Sequence, residues 1–213
     1  MTEIEYFGGN CIKITSREQA LMVDPKRSVF GLDDLPSDGL VEVSTEMRLS
    51  TKNSKAFLQI DGPGEYEVAN FSLRGFPANR QTDFNNEHSV TNYAITSSGI
   101  NIVVLGNIAN DLSETQLEEL GVADILVIPV GGGGYTLDAK IAGDIVTKID
   151  PKLVIPVHYS QDGLSYEVPQ DDFGRFANEL GTPVQETDKL RIKKVEALPE
   201  TLEIVKLKLK IKL

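Results

Sequence analysis

Two apolar runs most constrain what this chain folds into: ADILVIPV, from Ala123, and KLVIPVH, from Lys152. Each is short and almost wholly apolar, so each reads as a buried strand. Between them, LDAKIAGDIVTKID sets Leu137, Ile141, Ile145 and Ile149 about one turn apart. That is the spacing of a helix with one buried face, and Pro151 closes it. Upstream, SETQLEELG carries a serine N-cap at Ser113, Gln116 at the capping-box position and a terminal glycine, which predicts a short helix. Downstream, PQDDFGRFANELG predicts a further helix ended by Gly181. The first half is strand-like instead. IEYFGGNCIKIT, ALMVDP, LVEVS and AFLQIDGPGEYEVANFSLRGFP read as strands broken by glycine and proline, and VTNYAITSSGINIVVLGN as a hairpin turning at Ser97–Gly99. SVFGLDDLPSDGL and the polar segment from Ala78 to His88 read as loops. The chain is therefore α/β, with two sheets or one mixed sheet and helices outside.

At 213 residues the chain forms one large domain with a core that needs no staple. Its net charge of −11 repels polyanions, so no nucleic-acid partner is expected. No apolar run is long enough to cross a membrane and no leader pattern opens the sequence, so no membrane association is expected either. A single cysteine excludes an internal disulfide and points to the cytoplasm. The tail TLEIVKLKLKIKL alternates lysine with leucine or isoleucine from Lys206 to Leu213, the period of a strand. Residues 1–199 are read as the main domain and 200–213 as a strand extension. The apolar face of that strand needs a core or a partner. Its lysine face either guards an edge or meets an acidic surface, including that of a second copy in a homo-oligomer.

Few residues suit chemistry. The loop Gly131 to Gly134 either cradles a phosphate or lets the backbone pass close to a neighbour. Cys11 suits a small buried hydrophobe better than a nucleophile. His88 lies in a polar loop. His158 ends a strand, where α/β proteins gather their chemistry, and is either a working group or a histidine satisfied by backbone. Two histidines and one cysteine cannot build a histidine-rich zinc centre.

The stretches YFGGNCIKI, MVDP, IDGPGEYEV, VVLGN, ILVIPVGGGGYTLDA and KLVIPVHYS together resemble the metallo-β-lactamase superfamily over Ile4 to Tyr159. GPGEYEV and PVGGGGYTLDA resemble its small bacterial Zn-dependent hydrolase branch, which includes ascorbate-6-phosphate lactonase-like proteins. The resemblance implies a four-layer αββα sandwich, here with an added C-terminal strand. It also implies where zinc or manganese ligands would stand. The family's His-x-His-x-Asp-His motif falls on STEMRLS, with Thr45 and Met47 at the first two histidines, Leu49 at the aspartate and Ser50 at the last histidine. Asn79 or Arg80 stands at a further histidine and Asn107 at the bridging aspartate; His158 alone matches. The expectation is a degraded centre with no cofactor and His158 as a catalytic remnant. Its cleft would comprise Thr45, Met47, Arg48, Ser50, Asn79, Arg80, Asn107, Gly131, Gly132 and His158. With Arg48 and Arg80 supplying positive charge, it would take an anionic small molecule or a protein partner. That describes a non-catalytic pseudo-hydrolase or binding protein. The alternatives are a hydrolase with one metal on His158 and Asp24 or Asp61, and an assembly protein that oligomerises through its C-terminal strand.

Overall fold

The computed structural model describes residues 1–80, 88–108 and 111–213, so most of the loop expected from Ala78 to His88 lies outside the described residues. The strands are β1 (Thr2–Gly8), β2 (Cys11–Ser16), β3 (Gln19–Val23), β4 (Val41–Val43), β5 (Leu58–Ile60), β6 (Gly64–Val68), β7 (Phe71–Ala78), β8 (Val90–Ser97) and β9 (Ile100–Val104). Helix α1 (Glu114–Leu120) leads to β10 (Ile125–Pro129), α2 (Ala139–Ile149), β11 (Leu153–Val157) and α3 (Phe173–Leu180). The chain then adds β12 (Val184–Thr187), β13 (Leu190–Ile192) and β14 (Glu203–Leu207).

Two sheets result: a six-stranded one ordered β13-β1-β2-β3-β4-β5 and an eight-stranded one ordered β12-β14-β11-β10-β9-β8-β7-β6. The apolar runs explain the packing. Ile125 and Val127 of β10 enter the core between the sheets, whereas Leu126 and Ile128 enter a second core under the helices. β11 divides in the same way, with Ile155 facing one core and Val154 the other. Both strands pair in parallel and sit inside the sheet, as strands apolar on both faces must. All three α-helices contribute to that second core. Ser113 forms a full capping box with Gln116, as the sequence predicts, and Asp138 and Asp172 cap α2 and α3. Over the outer face of the six-stranded sheet, the small cluster Phe7, Cys11, Met22 and Leu35 is covered by a loop containing a 3₁₀ turn, Arg27–Phe30. That face carries Glu3, Glu5 and Glu42, which leaves little apolar surface for a helix to bury. No helix among the described residues is long and apolar enough to cross a membrane.

The C-terminal strand departs from its sequence reading. Within the 200–213 extension the strand starts at Glu203, and regular pairing stops at Leu207, not Leu213. β14 is interior to the larger sheet, bonded in parallel to β12 on one side and β11 on the other. Past Leu207 the chain crosses to the other sheet, where Leu209 bridges Tyr6 and the Lys210 N–H donates to the Tyr6 carbonyl. The acidic surface that the lysines meet is this chain's own. Lys206 pairs with Glu186 at 3.3 Å, Lys208 with Asp188 at 3.2 Å, and Lys210 with Glu5.

Arg27 locks this crossing. Its buried guanidinium donates only to carbonyls: Nε to Asp33 at 3.0 Å, Nη1 to Phe7 at 2.8 Å and Lys210 at 3.3 Å, Nη2 to Ile211 at 2.9 Å. Burial holds its pKa below the usual arginine value. Replacing Arg27 with Met orphans these carbonyls and frees the tail, so we expect a loss of about 3 kcal/mol in urea unfolding. The exposed Lys212→Ala should stay within about 0.5 kcal/mol of wild type. Equal, small effects of the two changes would show that the clamp contributes nothing.

Candidate functional site

The cleft forms where several strands end on one side of the sandwich. Asn10 lies in the β1–β2 turn, Thr45 and Glu46 follow β4, Arg80 follows β7, Asn107 follows β9 and His158 follows β11. Strand carboxyl ends are where α/β sheets leave room for a site. Two glycines make the approach of these loops feasible. A Cβ on Gly9 would stand 2.2 Å from the Phe30 ring, and one on Gly131 would stand 2.2 Å from the His158 carbonyl oxygen. The Gly131–Gly134 loop thus serves close backbone passage. The start of α2, several residues on, is already capped by the Asp138 carboxylate, which accepts from the Ile141 N–H at 2.9 Å, and Asp171 lies beside Gly132. Neither feature suits a phosphate cradle.

At the centre is Glu46, whose side chain is 2% exposed. Its Oε2 accepts from Arg48 Nε at 2.8 Å and Arg80 Nη1 at 3.0 Å, and its Oε1 accepts from Asn107 Nδ2 at 2.6 Å. Asn107 Oδ1 in turn accepts from Asn10 Nδ2 at 2.9 Å, and Asn10 Oδ1 contacts His158 Nδ1. The carboxylate fixes the direction of this chain. An ionised carboxylate only accepts, so each amide donates toward Glu46 and offers its oxygen to the next group. His158 therefore carries its proton on Nδ1.

The His158 ring is 1% exposed and packed among aromatic rings: Tyr135 stacked at 5.4 Å, Tyr166 tilted at 4.6 Å, and Phe30 edge-on at 5.2 Å. The Arg48 guanidinium lies 5.0 Å from the Tyr135 ring centre and reaches the exposed carboxylate of Glu167 at 3.1 Å. The pocket between these groups encloses about 10 Å³, roughly the room of one water molecule.

Of the residues singled out in the sequence, the structure brings together Arg48, Arg80, Asn107 and His158. Thr45 stands beside them but is turned to Asp24, whose oxygens accept from the Thr45 N–H at 2.7 Å and hydroxyl at 2.6 Å. Burial pushes the Asp24 carboxyl well above its ordinary pKa, against the pull of the Thr45 bonds. Met47 points to solvent, 54% exposed, and Asn79 is exposed beside a separate cavity with Ile108 and Leu112. Ser50 turns away to Glu42, a buried carboxylate that also accepts from Ser37 and Thr51. Leu49 is core. Asp61 and His88 are exposed. Cys11 is buried with its thiol against Met22, and burial drives its pKa up, away from a nucleophile's range. No group of three or more His, Cys, Asp or Glu side chains able to hold a metal occurs among the described residues. The sequence reading missed Glu46, although it sits between Thr45 and Met47, and it missed Asn10, Tyr135 and Tyr166. Glu46 was the legible one, an acid inside a motif otherwise stripped of acids.

Burial, reinforced by the Arg48 charge, pushes the His158 pKa down to about 3. An unfolded histidine takes its proton near pH 6.5, so between these values only the unfolded chain gains the proton. Acidification from about pH 6.5 to 3 therefore removes stability, by up to about 1.4 kcal/mol per pH unit. His158→Gln lacks this contribution, so the wild-type stability relative to the variant should fall through that window in urea unfolding. The ring ¹⁵N shifts of wild-type His158 should remain those of the neutral Nδ1–H tautomer from about pH 8 to 5. Movement toward imidazolium in that range would show that the ring is not sealed.

Comparison with known proteins gives the following. The model of the beta-lactamase superfamily domain matches residues 3–158. No curated protein matches the chain. Among solved structures, a Thermotoga maritima protein of the metallo-beta-lactamase superfamily superposes with a TM-score of 0.75 at 21% identity, over 97% of this chain and 100% of that one. Igni18, a metallo hydrolase from Ignicoccus hospitalis, superposes at 0.62 with 18% identity, over 84% and 90%. The metallo-beta-lactamase fold protein YhfI of Bacillus subtilis superposes at 0.59 with 9% identity, over 96% of each chain. At these identities the likeness is one of fold.

Proposed function

This chain belongs to the beta-lactamase superfamily, and we propose that within it the protein has given up the dinuclear metal centre and acts as a non-catalytic, ligand- or partner-binding protein. GPGEYEV and PVGGGGYTLDA support placing it in the small Zn-dependent hydrolase-like branch that includes ascorbate-6-phosphate lactonase-like proteins. The observation that carries the reading is Glu46. The one carboxylate at the centre of the cleft is held by two guanidinium groups and an amide N–H. A divalent cation there would meet two positive charges and no free carboxylate oxygen, so the donor set does not fit the metals of the family. Asn107 is neutral, donates an amide hydrogen to Glu46 and accepts from Asn10 at its oxygen, so it does not suit the bridging carboxylate's place between two metals. Without metals there is no Lewis acid and no activated hydroxide, and the family's hydrolysis has no agent.

The single-metal alternative draws less support. His158 offers the lone pair of Nε2, but Asp24 is occupied by Thr45 and Asp61 is exposed. An anionic ligand is the class that Arg48 and Arg80 favour. Their side chains remain about a quarter exposed at the mouth of the cleft while anchored to Glu46.

Untagged protein from cells grown with added zinc and manganese should contain almost no metal per chain by elemental mass spectrometry. It should not hydrolyse lactones or phosphodiesters when those metals are supplied. A content of about one or two ions per chain, with metal-dependent turnover, would overturn the reading.

A further inference from the structure

The loops around the cleft are far apart in the chain, yet one carboxylate joins them. Glu46 bonds Arg48 within its own loop, Arg80 34 positions away and Asn107 61 positions away. Through Asn107 it reaches Asn10, and through Asn10 it reaches His158 at the end of β11. Two other acids of the described residues do less. Glu3, on β1, pairs with Lys189 and Arg191 and is partly open to solvent. Glu42 is as deeply buried, but its partners Ser37, Ser50 and Thr51 all lie within nine positions of it. Glu46 alone among these three combines deep burial, two cationic partners and links to distant strand ends.

We propose that Glu46 is a charge-inverted replacement for the metal centre: a buried anion, ligated by Arg48, Arg80 and Asn107, that cross-links the cleft loops and holds the cleft's shape without metal. The inference rests on the metal-free reading above and adds what stands in place of the ions. A metal centre puts cations in the middle and lone pairs around them; here an anion is in the middle and N–H donors surround it. Both arrangements close long loops through one point, and that constraint is worth most when the joined segments are distant in sequence. A buried carboxylate with three charge-assisted or amide bonds is well satisfied, and removing its charge takes from two guanidinium groups the anion on which they converge. Asn107 fits the inverted centre for the same reason that it fails the metal centre. It can donate to a carboxylate, which aspartate cannot.

The test is urea unfolding of the full-length chain. Glu46→Gln should raise the unfolding equilibrium constant by roughly two orders of magnitude. Arg80→Gln should raise it less, and the double variant should fall well short of the product of the single effects, because the two residues share one interaction. Glu3→Gln, at the more open ion pair, is the control and should have a smaller effect. If Glu46→Gln does not fold, Asn107→Asp serves instead. It should destabilise by setting a second carboxylate against Glu46, and neither zinc nor manganese should restore the loss. Multiplicative effects of Glu46→Gln and Arg80→Gln, a Glu46→Gln effect no larger than that of Glu3→Gln, or an Asn107→Asp protein of wild-type stability would overturn the hub. Rescue of Asn107→Asp by zinc would overturn it too, since the centre would then accept a cation. A wild-type midpoint that moves with zinc or with a chelator would count against the metal-free reading itself, and strong coupling between Glu46 and Arg80 would separate that outcome from failure of the hub.

Discussion

A carboxylate sealed from water must find donors, and at Glu46 that requirement organises one whole side of the sandwich. Its oxygens are reached by Arg48, Arg80 and Asn107. Those groups can converge only because β4, β7 and β9 deliver their ends to the same place. The demand then passes outward. Asn107, having donated to Glu46, must accept from Asn10, and Asn10 must accept from His158. The imidazole receives its tautomer from a carboxylate it never touches. Burial among aromatic rings and the nearby Arg48 charge hold that ring neutral.

The opposite problem, a buried cation, is solved at Arg27 by different means. Among the described residues no carboxylate bonds the guanidinium; its bonds go to backbone carbonyls from the β1 end, its own loop and the C-terminal tail. Carbonyl oxygens carry partial charge only, so this group is bound by the number and direction of its bonds, which suits arginine's planar fork better than lysine's single ammonium. The consequence is topological. β14 completes the eight-stranded sheet, and the residues after it are tied to the six-stranded one. The two sheets are joined by packing in the middle and by Arg27 where the tail crosses.

Much of the fold was legible because it depends on local pattern. The capping box at Ser113, the periodicity of α2, the hairpin at Ser98 and Gly99, and the buried strands ILVIP and LVIPV follow from spacing and residue type. The tail shows where pattern runs out. Its lysine–leucine alternation continues to Leu213, but strand pairing needs a neighbour; the Lys208 N–H makes the last bond to β12, at Thr187, and Leu209 bridges Tyr6 of the other sheet. The candidate site was half legible. Arg48, Arg80, Asn107 and His158 were found by position within motifs. Ser50 and Asn79 lie in the same motifs yet turn to Glu42 and to solvent. Motif position constrains the backbone, not the direction of a side chain.

The sequence by itself determined that this is an α/β chain with helices outside its sheets, which strands are buried, which segments are helical, and that its few histidines and lone cysteine are too sparse for a histidine-rich zinc site. Only the tertiary structure decided that Glu46, the one acid in STEMRLS, is the centre of the cleft, and that Asn10 links it to His158. The physical reason is that hydrogen-bond satisfaction is a property of three-dimensional neighbourhoods. Residues 10, 46, 80, 107 and 158 have no local relation along the chain, and they become partners only after the sandwich has excluded the water that would otherwise have served them.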